Sequence, residues 1–396
     1  MPRPQSRTVA VLLTALVAFG PLSTDLYLPS LPLLASVFST DAASVQLTLS
    51  VFLVGFAVSQ LVYGPMSDRF GRRPVILGGV AIFVVASVAC TFAQSIEQLV
   101  AARFFQAVGA CCGPVLGRAV VRDVYGRDGA ARILAYMAMA VALGPAVGPV
   151  IGGVLTTAFG WRANFVLLLA FGAVILVAAA LLLDETNDHL DPLALRPGRL
   201  ASNYATLLGD RVYIGYVLCA SFVYSGIFAF ISGSSFVLID GLGLSPEEYG
   251  LSFGVVVVGY ITGSFGAGRL SLALGPTRMV ALGTAVLMLG GLSGLALAVA
   301  GEPSVASILA PLFVFLAGAG LTLPNTMAGA IGPFPAMAGL ASALLGFIQM
   351  TLASAVGIFV GHLDGGDGVV MMAATAAASV AAAACRRLVA PRPAAA

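Results

Sequence analysis

Charge is what this chain has least of. Its 396 residues include 19 basic and 17 acidic side chains, 9% in all, against 59% hydrophobic. A water-soluble domain carries roughly a quarter charged residues, so this chain cannot cover a water-facing surface and a soluble globular enzyme is excluded. The apolar content excludes disorder as well. Lysine is absent, and all 19 basic residues are arginine, which speaks of coding bias and not of function. The two histidines, His189 and His362, lie outside the apolar runs, with no cysteine or carboxylate pattern of metal-ligand spacing around them. No metal and no other cofactor is expected. The five cysteines, Cys90, Cys111, Cys112, Cys219 and Cys385, have no framework spacing and read as small buried hydrophobes.

What the chain has in quantity is apolar runs. A helix needs about 20 apolar residues to cross a bilayer, and twelve such spans fit, at 8–29, 44–64, 74–94, 98–119, 131–156, 162–183, 211–238, 247–269, 278–300, 304–327, 338–360 and 367–388. The first run follows Arg3 and Arg7, as a signal peptide would. No small-residue cleavage site follows, and Asp25-Leu26-Tyr27-Leu28-Pro29 continues the segment, so it reads as a retained helix. Sixteen of the arginines fall on the side of the N-terminus and only Arg162 borders a loop on the other. The positive-inside rule then places both termini in the cytoplasm. The polar segment 184–210 falls near mid-chain and reads as a cytoplasmic linker between an N-terminal bundle, 1–183, and a C-terminal bundle, 211–396. Gly64 and Gly71 bracket the loop after the second span, and Gly268 and Gly275 the loop after the eighth, offset by 204 residues. That trace of duplication fits the two-bundle build of many secondary transporters. The expected architecture is all-α and integral to the membrane, with twelve transmembrane helices in two pseudo-symmetric six-helix bundles.

The loop after the second span reads Gly64-Pro65-Met66-Ser67-Asp68-Arg69-Phe70-Gly71-Arg72-Arg73-Pro74. Positive-inside anchoring would account for the arginines but would not demand Asp68 or glycines at this spacing. The loop resembles the signature between helices 2 and 3 of the major facilitator superfamily. The resemblance implies a gating motif of Gly64, Asp68, Arg69, Gly71, Arg72 and Arg73 that latches the halves on the cytoplasmic side. The positive dipole end of span 11 is a partner for Asp68 there. In span 5, Gly144, Gly148 and Gly152 recur every four residues and form a bare stripe that lets another helix come close. Packing alone is one reading. The run Gly144-Pro145-Ala146-Val147-Gly148-Pro149-Val150-Ile151-Gly152-Gly153 also resembles the antiporter motif of drug–proton exchangers in this superfamily, which favours an exporter over a sugar or peptide symporter.

Span 4 carries Arg103, Gln106 and Arg118. An arginine near the centre of a span costs at least ~2.5 kcal/mol on insertion scales. Arg118 lies near the cytoplasmic end, where snorkelling is the simpler account; the same reading is open for Arg103 at the outer end. Against it, the two are 15 residues apart, about four turns, on nearly one face with Gln106, and such a face points to a water-filled path. The run resembles the family's helix-4 motif, whose arginine is tied to proton transfer. Asp25 is the only carboxylate in the apolar part of any span. It could cap a helix end at the interface, but its depth matches that of Arg103, with which it could pair, and the two are expected to couple the proton. Asp25-Leu26-Tyr27-Leu28-Pro29-Ser30-Leu31-Pro32, Trp161-Arg162 and Phe334-Pro335-Ala336-Met337-Ala338-Gly339 together resemble the bicyclomycin/chloramphenicol-resistance (Bcr/CflA) subfamily of drug–proton antiporters.

Tyr27, Gln46, Gln106, Arg118, Tyr224, Phe228, Asn325 and Gln349 are candidates for an amphipathic drug pocket; each aromatic among them could equally pack in the core or face lipid. The function expected from these residues and resemblances is proton-coupled efflux of small amphipathic drugs, amphenicol- or bicyclomycin-like, across the bacterial inner membrane by alternating access. Its partners are the drug, protons and the bilayer, with no nucleic acid, and the chain acts as a monomer. The alternative is an exporter, facilitator or symporter of a small metabolite on the same fold. A membrane-embedded protease is disfavoured, because Gly233-Ser234-Ser235 lacks a following glycine and no span holds a histidine to act as base.

Overall fold

The computed structural model describes residues 7–188, 190–301, 304–363 and 366–389, without the side chains of 126–132, 135, 138, 140, 142 and 336. His189, discussed above, lies outside the described residues. Those that are described form helices and connecting turns only. The α-helices are α1 (Arg7–Val17), α2 (Phe19–Asp25), α3 (Leu31–Val37), α4 (Ala42–Phe70), α5 (Arg72–Thr91), α6 (Ile96–Phe159), α7 (Arg162–Leu182), α8 (Pro197–Gly209), α9 (Arg211–Ser235), α10 (Pro246–Ala300), α11 (Val305–Ile331), α12 (Ala338–Leu363) and α13 (Val369–Val389).

Local chemistry sets many of the ends. Asp41 accepts from the Ser44 N–H at 2.8 Å to start α4, and Asp210 from the Tyr213 N–H at 2.7 Å to start α9. Ser304 and Ser307 close a reciprocal cap on α11. The first span is not the single helix 8–29 expected from hydropathy. It breaks before Phe19-Gly20-Pro21 and again at a 3-10 turn, Leu28–Ser30, that holds Pro29, then resumes as α3 to Val37. Proline lacks the N–H that would continue the ladder, which is why the break falls just after Asp25. Segment 184–210, expected as a plain linker, contains α8.

Two long elements each hold two spans. In α6, Gly113 and Gly117 lie against Leu16, Val17 and Leu13, while Gly144, Gly148 and Gly152 lie against Pro21, Asp25 and Leu26. A straight helix would put residues 117 and 144 about 40 Å apart, so the chain reverses between them. In α10 the break is Gly275, with φ 73° and ψ 162°, followed by Pro276. Gly71, at the corresponding place between α4 and α5, has φ 98° and ψ 157°. Only glycine adopts this backbone region readily, so Gly71 and Gly275, the second members of the two glycine pairs noticed in the sequence, perform the same turn.

Ten helical stretches among the described residues are long and apolar enough to cross a bilayer. One of them is α10, which is long enough for two, and the shorter apolar stretch Leu143–Phe159 is a further candidate, which brings the candidate spans among the described residues to twelve. They cluster into two compact units, residues 1–200 with 244–253, and 201–243 with 254–396. Within the first, α6 packs on α1, α2, α4 and α5, and α5 on α7; within the second, α9 packs on α11, α12 and α13. Polarity is inverted relative to a soluble protein. Val85, Val174, Phe265 and Leu289 are exposed, whereas Gln46, Thr48, Gln60, Arg103, Gln106, Asn164 and Ser225 are buried. Lipid is an adequate solvent for the first group, and several of the second bond one another, as Gln106 does Ser87 and Asn164 does Ser30.

Candidate functional site

The interior of the first unit is organised around one cation. Arg103 is 0% exposed. Its guanidinium carbon stands 4.2 Å from the ring centre of Phe52, 4.5 Å from that of Tyr27 and 6.0 Å from that of Phe165. Nη1 donates to Gln106 Oε1, one turn along α6, and Gln106 Nε2 donates onward to Ser87 Oγ on α5 at 2.8 Å. Tyr27 is itself held by a 2.9 Å hydrogen bond between its hydroxyl and that of Thr48. Three aromatic faces and an amide thus stand where a carboxylate would be expected. Arg103 Nε and Nη2 are buried without a hydrogen-bond partner.

Asp25 is 2% exposed and ends α2. Its Oδ1 lies 3.2 Å from the Thr24 hydroxyl, which also lies 3.0 Å from the Pro21 carbonyl oxygen. The Gly20 carbonyl oxygen is a third acceptor at 3.3 Å, so the one hydroxyl proton is shared among three and the carboxyl is poorly supplied with donors. Among the described residues no ion pair joins Asp25 to Arg103; their expected pairing is not formed in this arrangement, because the aromatic rings and Gln106 surround the guanidinium instead.

The glycine stripe of span 5 faces this same turn. A Cβ on Gly144 would come within 2.6 Å of the Pro21 Cβ, one on Gly148 within 3.1 Å of the Asp25 Cβ, and one on Gly152 would strike the Leu26 carbonyl oxygen. Pro145 is half-buried, and Pro149 and Gly153 are buried beside the stripe. One helical turn beyond Gly152, Thr156 bonds Ser30, and Asn164 Nδ2 donates to both hydroxyls at 2.8 and 2.9 Å. This buried knot ties α6 and α7 to the 3-10 turn just after Asp25.

At the end of the unit where α4 meets α5, Arg72 gathers the loop. It bonds Asp68 at 2.6 Å and Asp123 of α6 at 3.0 Å, and donates to Ser67 Oγ. Arg73 donates to the Ala180 carbonyl at 2.9 Å, Arg69 is exposed and rests over Phe70, and Gly64 is half-buried. Glu185, 113 residues further along, accepts from the backbone N–H groups of Arg72 and Arg73 at 2.8 and 3.1 Å. It caps α5 in place of a local residue, because Gly71 has no side chain to do so. Burial raises the Glu185 carboxyl, but bonds from the N–H groups of Asn187, Arg72, Arg73 and Thr186 outweigh it and hold the group below its usual value.

The remaining pocket candidates divide between the units. In the first, Gln46 is buried and Arg118 is half-buried, donating to the Pro114 carbonyl of its own helix at 2.6 Å. In the second, Phe228 is buried, Tyr224 and Gln349 are half-buried, and Asn325 accepts from Ser271 at 2.9 Å. Sequence reasoning missed Phe52 and Phe165 as partners of Arg103, the Ser30–Thr156–Asn164 knot, and Glu185 as a cap. Apolar aromatics carry no distinguishing signal in an apolar span, and Ser30 and Glu185 each meet their partners more than a hundred positions away.

A model of the Major Facilitator Superfamily matches residues 12–358. The chain is similar to an uncharacterized MFS-type transporter, YdgK, of Bacillus subtilis, 34% identical over 89% of this chain and 88% of that one. It is also similar to multidrug resistance protein D of Escherichia coli, 32% identical over 88% and 87%, and to a bicyclomycin resistance protein homolog of Haemophilus influenzae, 28% identical over 87% and 86%. Among solved structures, a D-xylose–proton symporter superposes with a TM-score of 0.76 at 16% identity, over 95% of this chain and 97% of that one, a likeness of fold.

The stripe geometry ranks its substitutions. Gly152→Ala forces the Leu26 backbone to move and should lower the melting temperature of the detergent-solubilised protein by the equivalent of 1–3 kcal/mol, roughly the cost of overpacking. Gly148→Ala needs only a few tenths of an ångström of adjustment and should be milder; equal melting of the two would mean that the stripe does not bear on Asp25. Glu185→Gln should melt below the wild type at neutral pH. Because the folded Glu185 carboxyl is held low, its contribution is present above the ordinary value of 4.5 and fades as pH falls through the lower folded value. The two melting curves should therefore converge only in acid, and a gap that persists there would refute the charged cap.

Proposed function

Since this chain belongs to the Major Facilitator Superfamily, we propose that it is a proton-coupled exporter of small amphipathic drugs, amphenicol- or bicyclomycin-like, working by alternating access. The observation that carries this reading is that the two features singled out for antiport are one contact. The acid Asp25 packs directly against Gly148 of the glycine–proline stripe. Relatives whose names denote multidrug and bicyclomycin resistance support the substrate class. The positive-inside distribution of arginine supports placing both termini in the cytoplasm; the proposed exporter sits in the bacterial inner membrane and acts as a monomer.

In the proposed cycle Asp25 and Arg103 couple the proton. Ionised, Asp25 has only the shared Thr24 hydroxyl as a side-chain donor and is drawn towards the guanidinium. Protonated from outside, it supplies its own donor and has no need of Arg103; the absence of an ion pair between the two among the described residues supports this reading. Substrate leaves outward in the protonated form, and release of the proton inward resets the pair. Tyr27, Gln46, Gln106, Arg118, Tyr224, Phe228, Asn325 and Gln349 contribute to the drug pocket. The loop of Gly64, Asp68, Arg69, Gly71, Arg72 and Arg73 governs opening on the cytoplasmic side. With an uncharged drug, each exchange moves one charge; at 100 mV that is about 2.3 kcal/mol, or a concentration ratio of roughly fifty.

Asp25→Asn should abolish uncoupler-sensitive drug accumulation in everted membrane vesicles while leaving equilibrium drug binding within a few-fold of the wild type. Active accumulation by the Asn variant would contradict the assignment of Asp25.

A further inference from the structure

We infer that Arg103 is a specificity-determining residue of the proposed exporter: it admits uncharged substrates rich in hydrogen-bond acceptors and turns lipophilic cations away. The inference rests on the export reading and adds the charge class of the substrate. Three observations converge on it. First, Asp25 is the only buried carboxylate among the described residues. Whether it holds a proton or neutralises Arg103, no second buried acid is left to balance a permanent cation. Secondly, the faces of Phe52 and Tyr27, which would receive a lipophilic cation, are already occupied by the guanidinium at 4.2 and 4.5 Å. Thirdly, Arg103 Nε and Nη2 are buried and unpartnered. Those N–H groups lack only an acceptor, such as a carbonyl, hydroxyl or nitro oxygen, and gain most from one in a dry interior.

The two halves of the selectivity act differently. An acceptor reaches the enclosed guanidinium only when Tyr27 or Phe52 turns aside. Repulsion of a cation needs no opening. At an effective dielectric of about 20 and a separation of about 8 Å, two unit positive charges repel enough to weaken binding about thirty-fold.

The test is equilibrium binding to the purified full-length protein in detergent at fixed pH, with chloramphenicol and bicyclomycin as uncharged probes and tetraphenylphosphonium as the cation. The wild type should bind at least one uncharged probe about thirty-fold or more tightly than tetraphenylphosphonium. Arg103→Gln should weaken the uncharged probe about ten-fold or more and strengthen the cation. Arg103→Lys, which keeps the charge but loses the fork, should weaken the uncharged probe and still exclude the cation. Tetraphenylphosphonium bound as tightly as the uncharged probes by the wild type, an unchanged ratio in a folded Gln variant, or no binding of either uncharged probe would each overturn the inference. Export is read separately, as pH-gradient-driven movement in proteoliposomes. A pH-driven flux of tetraphenylphosphonium would overturn the selectivity while leaving export standing. Selective binding of the uncharged probes without pH-driven movement would overturn export while leaving the selectivity standing.

Discussion

A full positive charge held away from water is the constraint around which the first unit is built. An unpaired buried ion carries a penalty of several kcal/mol, and here it is offset without a carboxylate. Arg103 lies between the faces of Phe52 and Tyr27 and is tied to Gln106, which is tied in turn to Ser87. That chain fixes the faces of α4, α5 and α6 that meet, and Thr48 fixes the Tyr27 ring from the other side. The break in the first span follows the same logic, since it carries Tyr27 to the guanidinium and leaves Asp25 at the end of α2. The glycine stripe is the complement of that break. It lets α6 approach the irregular turn so closely that Leu26 occupies the space a side chain at 152 would need.

The far end of the unit solves a different problem with similar economy. Gly71 makes a turn only glycine adopts readily, and so leaves the start of α5 without a local cap. Glu185 returns from beyond α7 to supply one, while Arg72 joins Asp68 to Asp123. The loop is thereby fastened to α4, α5, α6 and the segment after α7 at once. Movement of any one of those elements bears on the others, which suits a gating role.

Much of this was legible in the sequence, for identifiable reasons. Span number follows from hydropathy because a bilayer tolerates few departures from it. Asp25, Arg103 and Arg118 stand out because ionisable residues in apolar spans are rare. The glycines at 71 and 275 announced a repeated turn through their spacing. What escaped was contact. The expected Asp25–Arg103 pair gave way to an aromatic cage, and nothing in an apolar span distinguishes Phe52 or Phe165 from residues facing lipid. Pro29 interrupts the first span, but hydropathy alone ran the helix straight through. The cap from Glu185 and the knot at Asn164 are products of tertiary folding, invisible to any local pattern.

The central claim is that Asp25 is the carboxyl that exchanges its proton for drug. Proton release on addition of chloramphenicol or bicyclomycin to the protein in lightly buffered detergent, followed with a pH-sensitive dye, measures this directly. Release approaching one proton per bound drug is expected from the wild type, and none from Asp25→Asn at saturating drug. Undiminished release from the Asn variant would place the coupling carboxyl elsewhere in the chain.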